Sequence, residues 1–131
     1  MHRSPQTDPL HGCRRRGRDV PAGGRQQRQI VTRPIPSTDE ALPVVGLGSW
    51  ITFNVGNDRL ARDSCADVMR NFFEAGGRMI DSSPMYASSQ PVIGYGLGKL
   101  GKPASLFSAD KVWTSSGSRG REQIEQSRRY W

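Results

Sequence analysis

Residues 77–86 read Gly-Arg-Met-Ile-Asp-Ser-Ser-Pro-Met-Tyr, and this segment decides the fold of the chain. The apolar pair Met79 and Ile80 leads into polar residues and then Pro84, which predicts a short strand over Met79–Ser83 that ends in a loop. A strand of this kind, with a helical pattern on each side, is typical of an α/β protein.

The residues before this strand predict an amphipathic helix. Asn57 or Asp58 is the candidate N-cap, and Gly76-Gly77 ends the helix. Apolar residues recur at steps of three and four, as one buried helix face requires. They are Ala61, Cys65, Val68, Met69, Phe72 and Phe73.

Further upstream, the chain predicts a hairpin and a buried strand. Ile30–Ile35 and Ala41–Ser49 are extended runs, and the five residues between them have turn chemistry. The stretch Val44–Trp50 is largely apolar without alternation, which favours a strand covered on both faces.

Downstream, the sequence predicts a weak helix over Pro91–Leu100 with Ser89 as a possible cap, a strand over Phe107–Thr114 and a helix over Gly120–Arg129. The stretch 96–103 imitates a phosphate-binding loop, but Gly101 is better explained as a helix C-cap.

The predicted order is a hairpin followed by three strand–helix units, and therefore a parallel sheet. In such sheets the residues that do chemistry lie just past the carboxyl ends of the strands. These positions are Ser49, Trp50, Asp81, Tyr86 and Lys111.

Three stretches in this order resemble the aldo/keto reductase family. They are residues 46–50 (GLGSW), residues 77–86 with Ser88-Ser89 and Ile93-Gly94 behind them, and residues 111–114 (KVWT). The resemblance implies an α/β fold of the (β/α)8 TIM barrel type, of which residues 30–131 would form the N-terminal portion.

The family resemblance also implies an activity, the reduction of a small aldehyde or ketone by NADPH without a metal. Of the family's catalytic Asp, Tyr, Lys and His, the first three match Asp81, Tyr86 and Lys111. Gly48, Ser49 and Trp50, together with Asp81, are the candidates for the cofactor side. No histidine matches: His2 and His11 lie far upstream, and the family's histidine is expected on a fourth strand beyond residue 131.

The chemistry of these residue types agrees with that implication. A phenol is a weak acid, so a tyrosine that protonates a carbonyl oxygen needs a nearby ammonium to stabilise its phenolate. A lysine in a dry site in turn needs a carboxylate partner. Spacing alone favours a structural Asp81–Lys111 pair with a surface tyrosine, and it is the family resemblance that favours the catalytic interpretation. The residues also leave Trp50 and Trp113 open as packing residues.

Three positions depart from the family pattern. Ala87 and Gln90 stand where glycine and glutamate are common, and Asp110 stands where threonine is usual. Alternation places Asp110 on the helix-facing side of its strand, where we expect an unpaired carboxylate to be costly.

The charge of the chain is uneven. Eight arginines and two aspartates give residues 1–33 a charge of +6, out of +7 for the whole chain. Residues 1–29 are therefore interpreted as a disordered arginine-rich arm. The arm could contact an acidic partner or nucleic acid, in which case the rest is a non-catalytic binding module. It could also be leader sequence before an enzyme start near Ile30. The arm has no aromatic residue for base stacking, which argues against nucleic acid.

Length and composition set the remaining expectations. A barrel of this type typically has about 250 residues, so a chain of 131 residues is expected to be an inactive fragment. Cys13 and Cys65 lie in unlike contexts, which disfavours a disulfide. No apolar run is long enough for a membrane span, so a cytoplasmic location is the default and export stays open.

Overall fold

The computed structural model describes residues 30–131. The predictions for residues 1–29, including the disordered arm, lie outside these residues. The elements follow in this order: β1 (Thr32–Pro34), β2 (Ala41–Pro43), β3 (Leu47–Gly48), α1 (Trp50–Phe53), α2 (Arg59–Glu74), β4 (Met79–Asp81), α3 (Ser89–Leu100), β5 (Phe107–Ala109) and α4 (Gly117–Tyr130).

The strands form two separate sheets. β1 and β2 pair antiparallel as the predicted hairpin, while β3, β4 and β5 form a parallel sheet in sequence order. Arg78 links the two sheets, because its guanidinium donates to Glu40 and to the Ala41 carbonyl oxygen of the hairpin and to the Ser105 carbonyl oxygen before β5. The fold is thus a hairpin followed by three strand–helix units, as predicted.

The helix α2 has the predicted cap. The Asp58 side chain accepts a hydrogen bond from the Ala61 backbone N–H at 2.8 Å, and this selects Asp58 over Asn57. Cys65 and Met69 are buried on the predicted apolar face. Val68 is the exception, since it is 48% exposed.

The hydrophobic core lies between the parallel sheet and the helices α2 and α3. Ile80 of the central strand is fully buried against it, as are the α3 residues Val92 and Ile93. The core residues together are Phe53, Cys65, Met69, Ile80, Val92, Ile93 and Leu97.

The helix α3 is longer than predicted, and its cap differs. Ser88 is the N-cap, whereas Ser89 lies inside the helix and its hydroxyl donates to the Ser49 carbonyl oxygen at 2.9 Å. Gly101 is the left-handed C-cap with φ of 74°, as predicted. Gly94 permits a close approach, because a Cβ atom there would lie 2.0 Å from the Tyr130 carbonyl oxygen of α4.

Three other predicted elements change. Val44 and Val45 precede β3 and are 52% and 69% exposed, so the prediction of a strand covered on both faces was wrong there. The strand β5 ends at Ala109 instead of Thr114. The helix α4 begins at Gly117, three residues before the predicted start at Gly120, and Ser116 is its N-cap.

Candidate active site

The carboxyl ends of the three parallel strands place the predicted residues at one edge of the sheet. Gly48 of β3 is in register with Asp81 of β4, which in turn is in register with Ala109 of β5. Lys111 follows two residues after the end of β5. The sheet therefore brings Asp81 and Lys111 together from positions 30 residues apart.

Asp81 and Lys111 form a close ion pair. The Lys111 Nζ atom lies 2.7 Å from both carboxylate oxygens of Asp81 and donates to the Ser82 carbonyl oxygen at 3.1 Å. Partial burial acts to lower the pKa of Lys111, but hydrogen bonding and charge interaction with Asp81 and Tyr86 outweigh it, so the pKa of Lys111 is raised. The ammonium is thereby kept charged at neutral pH.

Tyr86 is the third member of the group. Its ring centroid lies 5.0 Å from Lys111 Nζ and 6.2 Å from the centroid of the Trp50 ring. Its backbone is held by hydrogen bonds at both ends: Tyr86 N–H donates to the Ser83 carbonyl oxygen, and Ser89 N–H donates to the Tyr86 carbonyl oxygen. The structure therefore assembles the predicted Asp81, Tyr86 and Lys111 in contact distance.

An open groove of about 410 Å³ lies beside this group. The lining residues are Trp50, Ser83, Met85, Tyr86, Lys111 and Trp113. Trp50 and Trp113 are 63% and 68% exposed, so neither is a packing residue in the described part of the chain. Two flat indole side chains and a phenol suit a planar ring, but the lining holds no cluster of basic groups for phosphates.

Of the four cofactor-side candidates, only Trp50 is among the residues that line this groove. Gly48 is exposed and faces a separate depression next to Thr52 and Phe53. Ser49 is fully buried, and among residues 30–131 its Oγ atom has no hydrogen-bond partner. Trp50 therefore lies beside Tyr86, and Asp81 is connected to the group through Lys111. Gly48 and Ser49 do not line the groove.

Asp110 is paired, contrary to the expectation of a costly unpaired carboxylate. It is exposed, and its Oδ2 atom accepts a hydrogen bond from Gln90 Nε2 at 2.7 Å while Oδ1 accepts from the Lys111 N–H at 2.7 Å. The two departures, Gln90 and Asp110, thus contact each other. The sequence analysis identified both residues as departures from the family pattern, but it gave no indication that their side chains contact each other.

Cys65 is buried in α2, and burial raises the pKa of its thiol. Cys13 lies outside the described residues, so the prediction about a disulfide stays a prediction. Among the helices of residues 30–131, none combines the length and apolar character needed to cross a bilayer.

Comparison with known proteins agrees with this geometry. The model of the aldo/keto reductase family matches residues 44–130. Methylglyoxal reductase YeaE of Escherichia coli K12 is 32% identical over 95 residues, which cover 71% of this chain and 32% of that protein. The chain thus spans about a third of the length of this relative.

Solved structures are similar in fold. An aldo-keto reductase from Klebsiella pneumoniae in complex with NADPH matches with a TM-score of 0.58 at 23% identity, over 70% of this chain and 32% of that one. An aldo-keto reductase from Bombyx mori in complex with NADP matches with a TM-score of 0.60 at 20% identity, over 78% of this chain and 34% of that one. The fold is the N-terminal part of a TIM barrel, and the chain belongs to the aldo/keto reductase family.

Proposed function

We propose that the site formed by Asp81, Tyr86 and Lys111 takes part in the NADPH-dependent reduction of an aldehyde or ketone to an alcohol. The observation that carries the proposal is the contact of one ammonium with both a carboxylate and a phenol ring at the mouth of an open groove. A surface tyrosine beside a structural ion pair would not need the additional groove.

In this proposal each side chain has one task. The Tyr86 hydroxyl donates a proton to the carbonyl oxygen, and Lys111 stabilises the phenolate that remains. Asp81 holds the ammonium in place and keeps it charged. NADPH supplies the hydride that reaches the carbonyl carbon, so that carbon gains hydride and oxygen gains a proton.

The groove supports binding of the nicotinamide end of this cofactor. Trp50 and Trp113 present exposed indole rings, against which a planar ring can pack. We propose Gly48 and Ser49 as neighbours of the cofactor only because they lead from β3 into Trp50, the first residue of α1. The groups that grip the phosphates are not among the residues that line the groove.

The substrate is proposed to be a small carbonyl compound. Methylglyoxal is the first aldehyde to test, because the relative from Escherichia coli is a methylglyoxal reductase. Three of the four catalytic residue types implied by the family are among residues 30–131, and the histidine is not. We therefore propose that the 131 residues alone do not turn over.

The test joins residues 30–131 to the remaining barrel of the Escherichia coli relative and follows NADPH oxidation with methylglyoxal. The chimera should be active, and Tyr86→Phe should reduce kcat by about 10²- to 10⁴-fold, the usual contribution of a positioned general acid. NADPH affinity should change little, because the phenol acts on the transition state.

Tyr130→Phe is the matched control, since that hydroxyl contacts Gln126 on α4 and lies outside the groove. The proposal fails if Tyr86→Phe and Tyr130→Phe have the same kcat as the parent chimera. It also needs revision if the 131-residue chain by itself oxidises NADPH above a no-protein control.

A further inference from the structure

Gln90 is a buried amide in the first turn of α3, and both of its donors are used. Its side chain is almost completely shielded, with only 4% of the residue exposed. Nε2 donates to Asp110 Oδ2 at 2.7 Å and to Ser127 Oγ at 2.8 Å. Gln90 therefore joins α3 to the end of β5 and to α4.

Asp110 connects Gln90 to the backbone of Lys111. Its second carboxylate oxygen, Oδ1, accepts from the Lys111 backbone N–H at 2.7 Å, so one carboxylate joins the Gln90 amide to the Lys111 peptide. Regular strand pairing ends at Ala109. Beyond that point, the peptide that carries Lys111 is fixed by Asp110 instead of by a neighbouring strand.

The same short segment also carries Tyr86. Gln90 lies four positions after Tyr86, and the Tyr86 carbonyl oxygen accepts from the Ser89 N–H at 2.9 Å. Ser89 in turn donates through its hydroxyl to the Ser49 carbonyl oxygen, which ties the segment to the end of β3. Movement of the first turn of α3 would therefore change the positions of Tyr86 and Gln90 together.

We propose that Gln90 is a positioning residue, which acts through Asp110 to hold the Lys111 ammonium against Asp81 and beside Tyr86. The proposal deepens the proposed function and rests on it, because Lys111 is the residue that stabilises the Tyr86 phenolate there. Gln90 itself does not line the groove and does not contact the reacting atoms.

The donor character of the amide is the essential property. An ionised carboxylate such as Asp110 only accepts hydrogen bonds, so its partner must donate. Gln90→Glu keeps the size of the side chain but places two carboxylates at hydrogen-bond distance. Gln90→Glu combined with Asp110→Asn exchanges donor and acceptor, and the Ser127 hydroxyl can rotate to donate to the new carboxylate.

The readout is the pKa of Lys111, measured by NMR on the 131-residue chain with labelled lysine. The groups that face its ammonium and peptide are Asp81, Tyr86 and Asp110, and Arg128 lines the hollow of about 210 Å³ on the α4 side. By charge alone, a new carboxylate at position 90 would raise the pKa of Lys111.

Loss of position acts in the opposite direction. When the ammonium moves away from Asp81, the pKa of Lys111 falls, and we expect a decrease of about one pH unit in Gln90→Glu. The double variant should restore the value of the unmodified chain. At about pH 5 and below, a protonated Glu side chain can again donate to Asp110, so the stability deficit of Gln90→Glu should shrink there.

Gln126→Glu is the matched control, because it makes the same chemical change on the exposed side of α4. It should leave the pKa of Lys111 unchanged. If Gln90→Glu does not fold, Gln90→Leu removes the donors without adding charge and should also lower the pKa of Lys111. The proposal is overturned if the pKa of Lys111 is unchanged or raised in folded Gln90→Glu or Gln90→Leu. It is also overturned if the double variant has the same Lys111 pKa as Gln90→Glu.

The two proposals fail in different ways. If the chimera reduces methylglyoxal but the pKa of Lys111 does not change in the Gln90 variants, only the positioning role is disproved. If the chimera reduces no carbonyl compound but the pKa of Lys111 changes in the Gln90 variants as described, the proposed function is disproved. The connection from Gln90 through Asp110 to Lys111 then has a structural role only.

Discussion

Ala87 adopts a left-handed backbone conformation directly after Tyr86. Its φ is 46°, in the region that favours glycine, and its side chain is exposed. This conformation gives a physical reason for the glycine that the family commonly has at this position. It also means that the loop carrying the candidate proton donor stores backbone strain.

Ala87→Gly should therefore stabilise the chain. Relief of the left-handed strain exceeds the extra entropy of glycine in the unfolded chain, and we expect a net gain of about 0.5–1 kcal/mol in the free energy of unfolding, measured with urea. Ala75→Gly is the control, because Ala75 has φ of −75° and no strain to relieve. Equal effects of the two substitutions would contradict this account.

The Asp81–Lys111 pair should give a stability contribution that depends on pH. The pKa of Lys111 is raised, so the contribution is complete below the ordinary lysine pKa of about 10.4 and is lost as pH rises through the raised value. Both side chains are 39% exposed, so screening limits it to less than about 1 kcal/mol.

The test compares unfolding of the unmodified chain and of Asp81→Asn between pH 7 and 11.5. The difference in free energy should decrease toward the alkaline end, as Lys111 loses its proton. Asp67→Asn, which breaks the exposed pair with Arg70, is the control, because an arginine keeps its charge over this range. A difference for Asp81→Asn that persists at high pH would assign the effect to packing.

At the residue scale, the strand ends predicted five candidate positions, and the family resemblance selected Asp81, Tyr86 and Lys111 among them. It did not predict the Gln90–Asp110 contact. Those residues are 20 positions apart, and the sequence alone made Asp110 look unpaired. Only the approach of α3 to the end of β5 makes the two side chains complementary. Ser49 was predicted beside the cofactor, but its side chain is buried.

The helix α2 depends on its first turn. Asp58 satisfies the Ala61 N–H, one of the four backbone donors that lack a partner inside the helix. Asp58→Ala should lower the free energy of unfolding by about 1 kcal/mol, seen as a lower midpoint in thermal unfolding. Asp58→Ser keeps an accepting oxygen and should retain most of the stability; an equal loss for both variants would argue against the cap.

Element boundaries were harder to predict than element types. All three strand–helix units occur in the predicted order, but β5 is only three residues long. The predicted run continued to Thr114 because Val112 and Trp113 are apolar; in the structure they are exposed and are not part of the sheet. Periodicity also cannot distinguish Val68 from the core positions. The apolar face of α2 is wider than the surface that packs against it, so Val68 at its margin stays exposed.

The parallel sheet of residues 30–131 has two edges, β3 and β5, and the candidate groove opens between the residues that follow them. Trp50 and Trp113 both line this groove and are largely exposed. Trp131 differs, since its indole Nε1 is buried and it packs against the core. The whole molecule therefore contains two kinds of tryptophan environment.

Iodide quenching of fluorescence should separate these environments. Trp50→Phe with Trp113→Phe should remove most of the quenchable emission, whereas Trp131→Phe should remove the protected part. The measurement is a Stern–Volmer plot for each variant. Quenching of Trp131 as strong as that of Trp50 and Trp113 would contradict the burial of its indole Nε1.

The contact between Gly94 and the Tyr130 carbonyl oxygen has a consequence for how this sequence can change over evolutionary time. No left-handed φ requires glycine at position 94; the requirement is volume, because a methyl group would meet the backbone of another helix. The obstructing atom is the backbone carbonyl oxygen of Tyr130, which every amino acid has, so no substitution at position 130 can make room for a side chain at position 94. In a saturation library selected for folding, position 94 should therefore accept almost nothing but glycine, while position 98, with open space around it, should accept many residues.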